Sequence, residues 1–120
     1  MSAQKILTAL TADVGLTVLV IDRVELAPAR QGLTMPYIAF EFEGDDPIKD
    51  LLGVVNKTRQ DWSIFAMAET YAKAEEVGRA IISAMNNHSA EFRASFQSSS
   101  VEFDKDNDTY RYETQFKIIY

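Results

Sequence analysis

Cysteine is absent from these 120 residues. That absence excludes a disulfide framework, a thiolate nucleophile and any zinc site built on sulfur, and it fits folding in a reducing cytoplasm. Histidine occurs once, at His88, so a catalytic imidazole flanked by a nucleophile and an orienting group has little to draw on. Glycine and proline are sparse, five and three residues, and the glycines are scattered. Neither a G-x-G-x-x-G nor a G-x-x-x-x-G-K-[ST] loop exists to cradle phosphates. Basic residues are the minority, 12 against 18 acidic for a formal net charge of −6. No Lys/Arg cluster interrupts that balance, which argues against binding nucleic acid through phosphate neutralisation or sequence-specific readout. No apolar run approaches the ~18 residues of a membrane span. The opening MSAQKILTALTADVG carries one lysine and too short an apolar stretch for a signal peptide. The expectation is a soluble, untargeted protein with no membrane partner.

What is present is enough for a core. With 47% hydrophobic residues, one domain spanning residues 1–120 would bury roughly two thirds of its unfolded surface. Residues 2–12 read as an amphipathic helix, with Ser2 as a candidate cap and Ile6, Leu7 and Leu10 on one side. The next stretch, VGLTVLVIDRV, is apolar without a clean period, and residues 14–21 fit a short helix or a strand equally. APARQGLTMP, 27–36, is a loop by its prolines and glycine. TMPYIAFEF then predicts a strand entered through Pro36, with Ile38, Phe40 and Phe42 facing the helices and Tyr37, Ala39, Glu41 and Glu43 facing solvent.

GDDPIKDLLGVVNK, residues 44–57, mixes turn chemistry with aliphatic residues. Asp46-Pro47 fits a cap followed by proline at the first helical position, and Ile48, Leu51, Leu52 and Val55 fall at helical spacing, a reading that Gly53 weakens by about 1 kcal/mol relative to alanine. From Thr58 to Ala68 a strand is expected, its Trp62, Ile64, Ala66 and Ala68 face wholly apolar and the opposite face mixed. The helix signal in TYAKAEEVGRAIISAMNN is the strongest in the chain, with Thr70 as cap, Ala74, Val77, Gly78, Ile81 and Met85 along one stripe, and Glu75 and Arg79 paired on the wet side. SSSVEFDKDNDTYRYETQFKIIY closes as a hairpin: Val101 and Phe103 lead into an Asp/Asn turn, and Tyr110 to Tyr120 alternate aromatic or aliphatic with polar residues.

Each chemically suggestive feature has a plainer reading. His88, beside Asn86, Asn87 and Ser89, reads as a solvated residue past a helix end. Asp104 to Asp108, DKDND, opens like a calcium loop, but Thr109 stands where glycine is needed and Gln115 where a bidentate glutamate belongs. It reads as an acidic hairpin turn. Ser98, Ser99 and Ser100 lack a G-x-S-x-G setting, and the carboxylate pairs Asp45-Asp46 and Glu75-Glu76 occupy solvated positions. The sequence therefore predicts no catalytic residue, no cofactor and no metal site. What remains is surface. Leu51, Leu52, Val54 and Val55, flanked by Asp45, Asp46 and Lys57, must be buried either under the domain or against another chain. The candidate protein interface is Asp45, Asp46, Ile48, Leu51, Leu52, Val54 and Val55.

ALTADVGLTVLVIDRVELAPARQGLTMPYIAFEF, with Asp13 in a turn, Arg23 before a strand, Pro28 in the loop and Pro36-Tyr37 opening the next strand, resembles the start of the small tail completion (tail terminator) proteins of long-tailed bacteriophages and prophages. RQDWSIFAMAETYAKAEEVGRAIISAMNN is similar to that family's strand, Thr-Tyr-x-x-Ala turn and long helix, here Thr70, Tyr71 and Ala74. The DKDND turn and the apolar 48–55 segment depart from the pattern. The resemblance implies an α+β fold: a single, mainly antiparallel sheet of about four to five strands with two main helices on one face. It also implies a ring of identical subunits, usually a hexamer, that binds the end of the tail tube, stops its growth and offers a face to the head connector. The net charge of −6 would keep a DNA channel from gripping phosphates. Rival expectations are another neck or connector protein, and a small ligand-binding or enzymatic α+β domain with a pocket between sheet and helices.

Overall fold

The computed structural model of the chain describes residues 3–21, 23–27, 34–49, 55–87, 92–106 and 108–119, with backbone only at 45–49, 55–58 and 87. The described elements run α1 Ala3–Ala12, α2 Val14–Val20, β1 Val24–Leu26, β2 Tyr37–Lys49, β3 Val55–Ala68, α3 Tyr71–Asn87, β4 Arg93–Asp104 and β5 Thr109–Ile119. This is the expected α+β fold with one short helix more. The five-stranded sheet has the order β1-β2-β3-β5-β4. All its pairings are antiparallel except β1 with β2, which is parallel and spans only Val24–Leu26 against Ile38–Phe40, so the sheet is mixed.

Asp13 settles the ambiguous stretch after α1. Its extended backbone breaks the first helix, and its carboxylate accepts from the Leu16 amide at 3.0 Å, capping a second helix bent 88° from the first. Ile6 and Leu10 of α1 and Leu16 and Val20 of α2 then reach the same core. That core joins Ile38 and Phe40 of β2, Trp62, Ile64, Ala66 and Ala68 of β3, Tyr112, Phe116 and Ile118 of β5 and Ala74, Val77, Ile81 and Met85 of α3 in one cluster. The apolar face expected for β3 is thus the face that carries the helices. On β2 the alternation holds for Ile38 and Phe40, while Phe42 is 45% exposed, its ring centroid 5.3 Å from that of Trp62.

Thr70 caps α3 as expected, its hydroxyl accepting from the Lys73 amide at 3.2 Å. Gly78 has a reason beyond the periodic stripe: a Cβ there would overlap the Tyr112 ring, so α3 crosses β5 too closely for any side chain. Gly78→Ala would gain about 1 kcal/mol of helix propensity, but forcing apart a buried helix and strand costs about 1–3 kcal/mol. The net expectation is a lower melting temperature, read by thermal denaturation; a higher one would mean that the helix can move off β5 without cost.

The DKDND segment is a hairpin turn between β4 and β5, with the Asp104 carboxylate accepting from the Asp106 amide at 3.0 Å and Asp108 in the left-handed region at φ 52°. The helical reading is overturned at Asp46-Pro47, Ile48 and Val55, which lie in strands; Leu51 and Leu52 lie outside the described residues. Asp45 through Lys49 belong to β2 and Val55 through Gln60 to β3, cross-paired from Asp45↔Gln60 to Lys49↔Val55. Cross-strand pairing of two long strands outweighs a helical spacing that spans only two turns. Pro47 is tolerated because β1 stops pairing β2 at Phe40, leaving β2 an edge strand beyond it among the described residues.

Candidate functional surfaces

Three surfaces follow from this layout. The first is an arm. β5 pairs with β3 only from Arg59 onward, and β1 pairs with β2 only up to Phe40, so residues 47–49 and 55–58 form a two-stranded ribbon with no third strand beside it among the described residues. At about 3.4 Å per residue the described part reaches on the order of 10 Å past the last β3–β5 pair. Of the interface residues expected from sequence, Ile48 falls on the outgoing strand of this ribbon and Val55 on the returning one, while Asp45 and Asp46 stand on β2 just before it. Leu51, Leu52 and Val54 lie outside the described residues, as do His88 and Pro28.

The second surface is α2, which sequence reasoning missed. Val14 and Val18 are 77% and 76% exposed, and Ile21, at the helix end, is 59% exposed. Val14 and Val18 stand at i and i+4 on one outward side of α2, with Ile21 just past its end, while Leu16 and Val20 face inward. Ile21 has φ 59°, a left-handed conformation that a β-branched residue adopts only under strain. The signal in the sequence was the missing period itself: α2 is apolar on both its buried and its open side.

The third is the face of the sheet opposite the helices. Here Ala39 and Phe65 are buried outside the helical core, and the Arg111 guanidinium lies 4.8 Å from the Phe65 ring centroid. Arg111 also pairs with Glu102 at 2.7 Å. A cleft of about 450 Å³ is lined there by Glu43, Asp61, Ser63, Gln97, Glu113, Gln115 and Lys117, among others. Gln97 is the extra residue of the bulge between Phe96 and Ser98 of β4, which turns it toward this side. Ser63, only 1% exposed, has a hydroxyl with no hydrogen-bond partner among the described residues. A nucleophilic serine needs a base held by a third group, and the neighbours of Ser63 here are carboxylates, amides and one lysine. The two perturbed phenols do not supply such a base either. Tyr37 is pushed above its ordinary value of 10 by burial and then by Glu25, and Tyr71 by the charge of Glu75, so both hold their protons at neutral pH. Among the described residues no three His, Cys, Asp or Glu side chains converge on a metal position, and no helix is long and apolar enough to cross a membrane.

An α+β chain whose distinctive features are an arm, an open aliphatic helix face and an acidic sheet face belongs to the class that works through surfaces. The profile of the family Tail completion protein gp17 matches residues 4–120, and the chain belongs to that family: it is a structural protein of the phage tail. A solved chain described as "Virion of native gene transfer agent (GTA) particle" superposes with a TM-score of 0.70, covering 93% of this chain and 88% of that one at 20% sequence identity. That likeness establishes the fold. No curated protein matches the chain.

Proposed function

We propose that residues 1–120 act as one domain, the subunit of a closed ring that seats on the end of the phage tail tube, stops its polymerisation and joins the tail to the head. Six subunits would follow the arrangement implied by the family resemblance. The observation that carries the self-assembly is the ribbon at 47–49 and 55–58: a two-stranded hairpin is marginal in water by itself, and the sequence from 48 to 55 supplies the aliphatic residues Ile48, Leu51, Leu52, Val54 and Val55. Such a segment is stabilised when a neighbouring subunit covers it. The partners are then other copies of the chain, the tail tube protein on one face and the head connector or neck protein on the other, with no catalytic role. The net charge of −6 suits a ring around a DNA path, since it repels phosphates.

The test is assembly. Mass in solution should be a multiple of the 13.5 kDa chain, and electron microscopy with purified tail tubes should find the ring at the head-proximal end. A strict monomer at all concentrations would remove the ring; density elsewhere in the neck would make it a different joining protein.

A further inference from the structure

We propose that the aliphatic line on α2, Val14, Val18 and Ile21, is the seat on which the arm of the next subunit lands. This contact rests on the ring reading above and is the one that would build it. In a head-to-tail ring each copy meets its neighbour through two different patches, one given and one received. The arm supplies one. The other must be exposed, apolar and free of charge.

Charge narrows the choice. Copies with a formal net charge of −6 repel one another, so they approach most favourably where neither surface is charged. The stretch 14–21, VGLTVLVI, and the stretch 51–55, LLGVV, contain no charged residue. Exposure narrows it further. Phe42 leans on Trp62 with centroids 5.3 Å apart, Phe96 on Phe116 at 5.7 Å, and Phe103 and Tyr71 on Tyr110 at 4.7 and 6.1 Å. Each of these exposed rings is partly covered by its own chain. Val14 and Val18, 77% and 76% exposed, stand farther into solvent than any other large apolar side chain described. The strained Ile21, also exposed, follows at the C-terminal end of α2. Shape agrees as well: Val14 and Val18 at i and i+4, with Ile21 past the helix end, offer an apolar ridge along which a ribbon can lie.

The experiment uses three chains. The wild type should assemble. Val14→Asp with Val18→Asp, and separately Leu51→Asp with Val55→Asp, should each give folded monomers by circular dichroism and light scattering. Mixed one to one, at about tenfold or more above the concentration at which wild type assembles, the first donates an intact arm to the intact α2 of the second. The mixture should then form a dimer and nothing larger. As a second readout, the cysteine-free chain allows a copy with Val18→Cys and a copy with Val55→Cys to be co-assembled and treated with a short bis-maleimide. A cross-linked dimer should appear only when both copies are present. Rings formed by the α2 variant as readily as by wild type, or a mixture of two folded variants that stays monomeric with no cross-link, would overturn the inference while leaving the ring intact. Wild type that never assembles would overturn the ring itself and this contact with it.

Discussion

Replacing Leu51 and Val55 together by aspartate is expected to give a folded, soluble monomer that no longer closes tail tubes, leaving tails abnormally long or without heads. Val55 opens β3 opposite Lys49, at the far end of the two-stranded ribbon, and Leu51 follows in the connection between the strands. The described β3 members of the core cluster begin at Trp62, and β3 pairs with β5 only from Arg59 onward. For a position beyond the three-stranded part of the sheet the expected cost to folding is that of a surface change, about ±0.5 kcal/mol.

The cost to assembly is larger. Each aliphatic side chain buried against a neighbour contributes about 1.5–3 kcal/mol before the ordering of the contact is subtracted. An aspartate in the same place must be desolvated without a partner. Two such changes per subunit are repeated at every contact around a ring, so a modest loss per interface becomes loss of closure. Light scattering reports the mass and electron microscopy of tails reports the length. If the double variant unfolds instead, the ribbon is packed by its own chain; if it still forms rings, the contact lies elsewhere, with the open edge of β4 the next place to look.

Much of this architecture could be read from the sequence wherever one physical period dominated. The α3 stripe, its Thr70 cap, the apolar face of β3 and the β4–β5 hairpin all come from segments in which one side is wet and the other dry, the condition under which alternation or a 3.6-residue repeat is visible. The two misread or undecided regions lack that condition. In α2 both sides are apolar, because Leu16 and Val20 face the core while Val14 and Val18 face outward. No period survives such a pattern. In the arm, the pairing of Asp45 with Gln60 through Lys49 with Val55 is a relation between distant residues, whereas the helical spacing of Ile48, Leu51, Leu52 and Val55 is local and was the stronger signal. β1 was too short for its own pattern and exists because Ile38 donates to the Arg23 carbonyl at 2.8 Å and Ala27 to the Phe40 carbonyl at 2.8 Å. The start of β4 at Arg93, well before Val101, was hidden by a serine-rich run whose side chains are mostly exposed on an edge strand. Local rules fail most at α2 and the arm, the two segments proposed to meet between subunits, as expected when a surface is shaped for a partner rather than for water.

Trp62→Ala is expected to cost about 3–5 kcal/mol of stability, on the order of 10–25 °C in melting temperature for a domain of this size. Trp62 sits in the middle of an in-register row that crosses the sheet, Phe42↔Trp62 from β2 to β3, Trp62↔Phe116 from β3 to β5 and Phe116↔Phe96 from β5 to β4. Its ring is tilted against Phe40 at 6.0 Å and Phe42 at 5.3 Å, contacts that add to simple burial. Its indole N–H donates to Gln60 Oε1 at 2.9 Å inside the fold. Truncation therefore does three things: it removes the largest side chain of β3 from the core, leaves a cavity that a sheet held on both sides cannot close, and strands the carbonyl of a buried glutamine. Against a total stability of about 5–15 kcal/mol, the loss would leave a marginal domain. Trp62→Phe separates the contributions, since it keeps an aromatic ring in the row and gives up the Gln60 bond, and it should lose less than half as much. Because Trp62 is the only tryptophan, wild-type unfolding can be followed by its fluorescence, with circular dichroism used for the variants. A melting temperature unchanged in Trp62→Ala would mean that this face of β3 is not the one carrying the helices, and the order of the layers would have to be reversed.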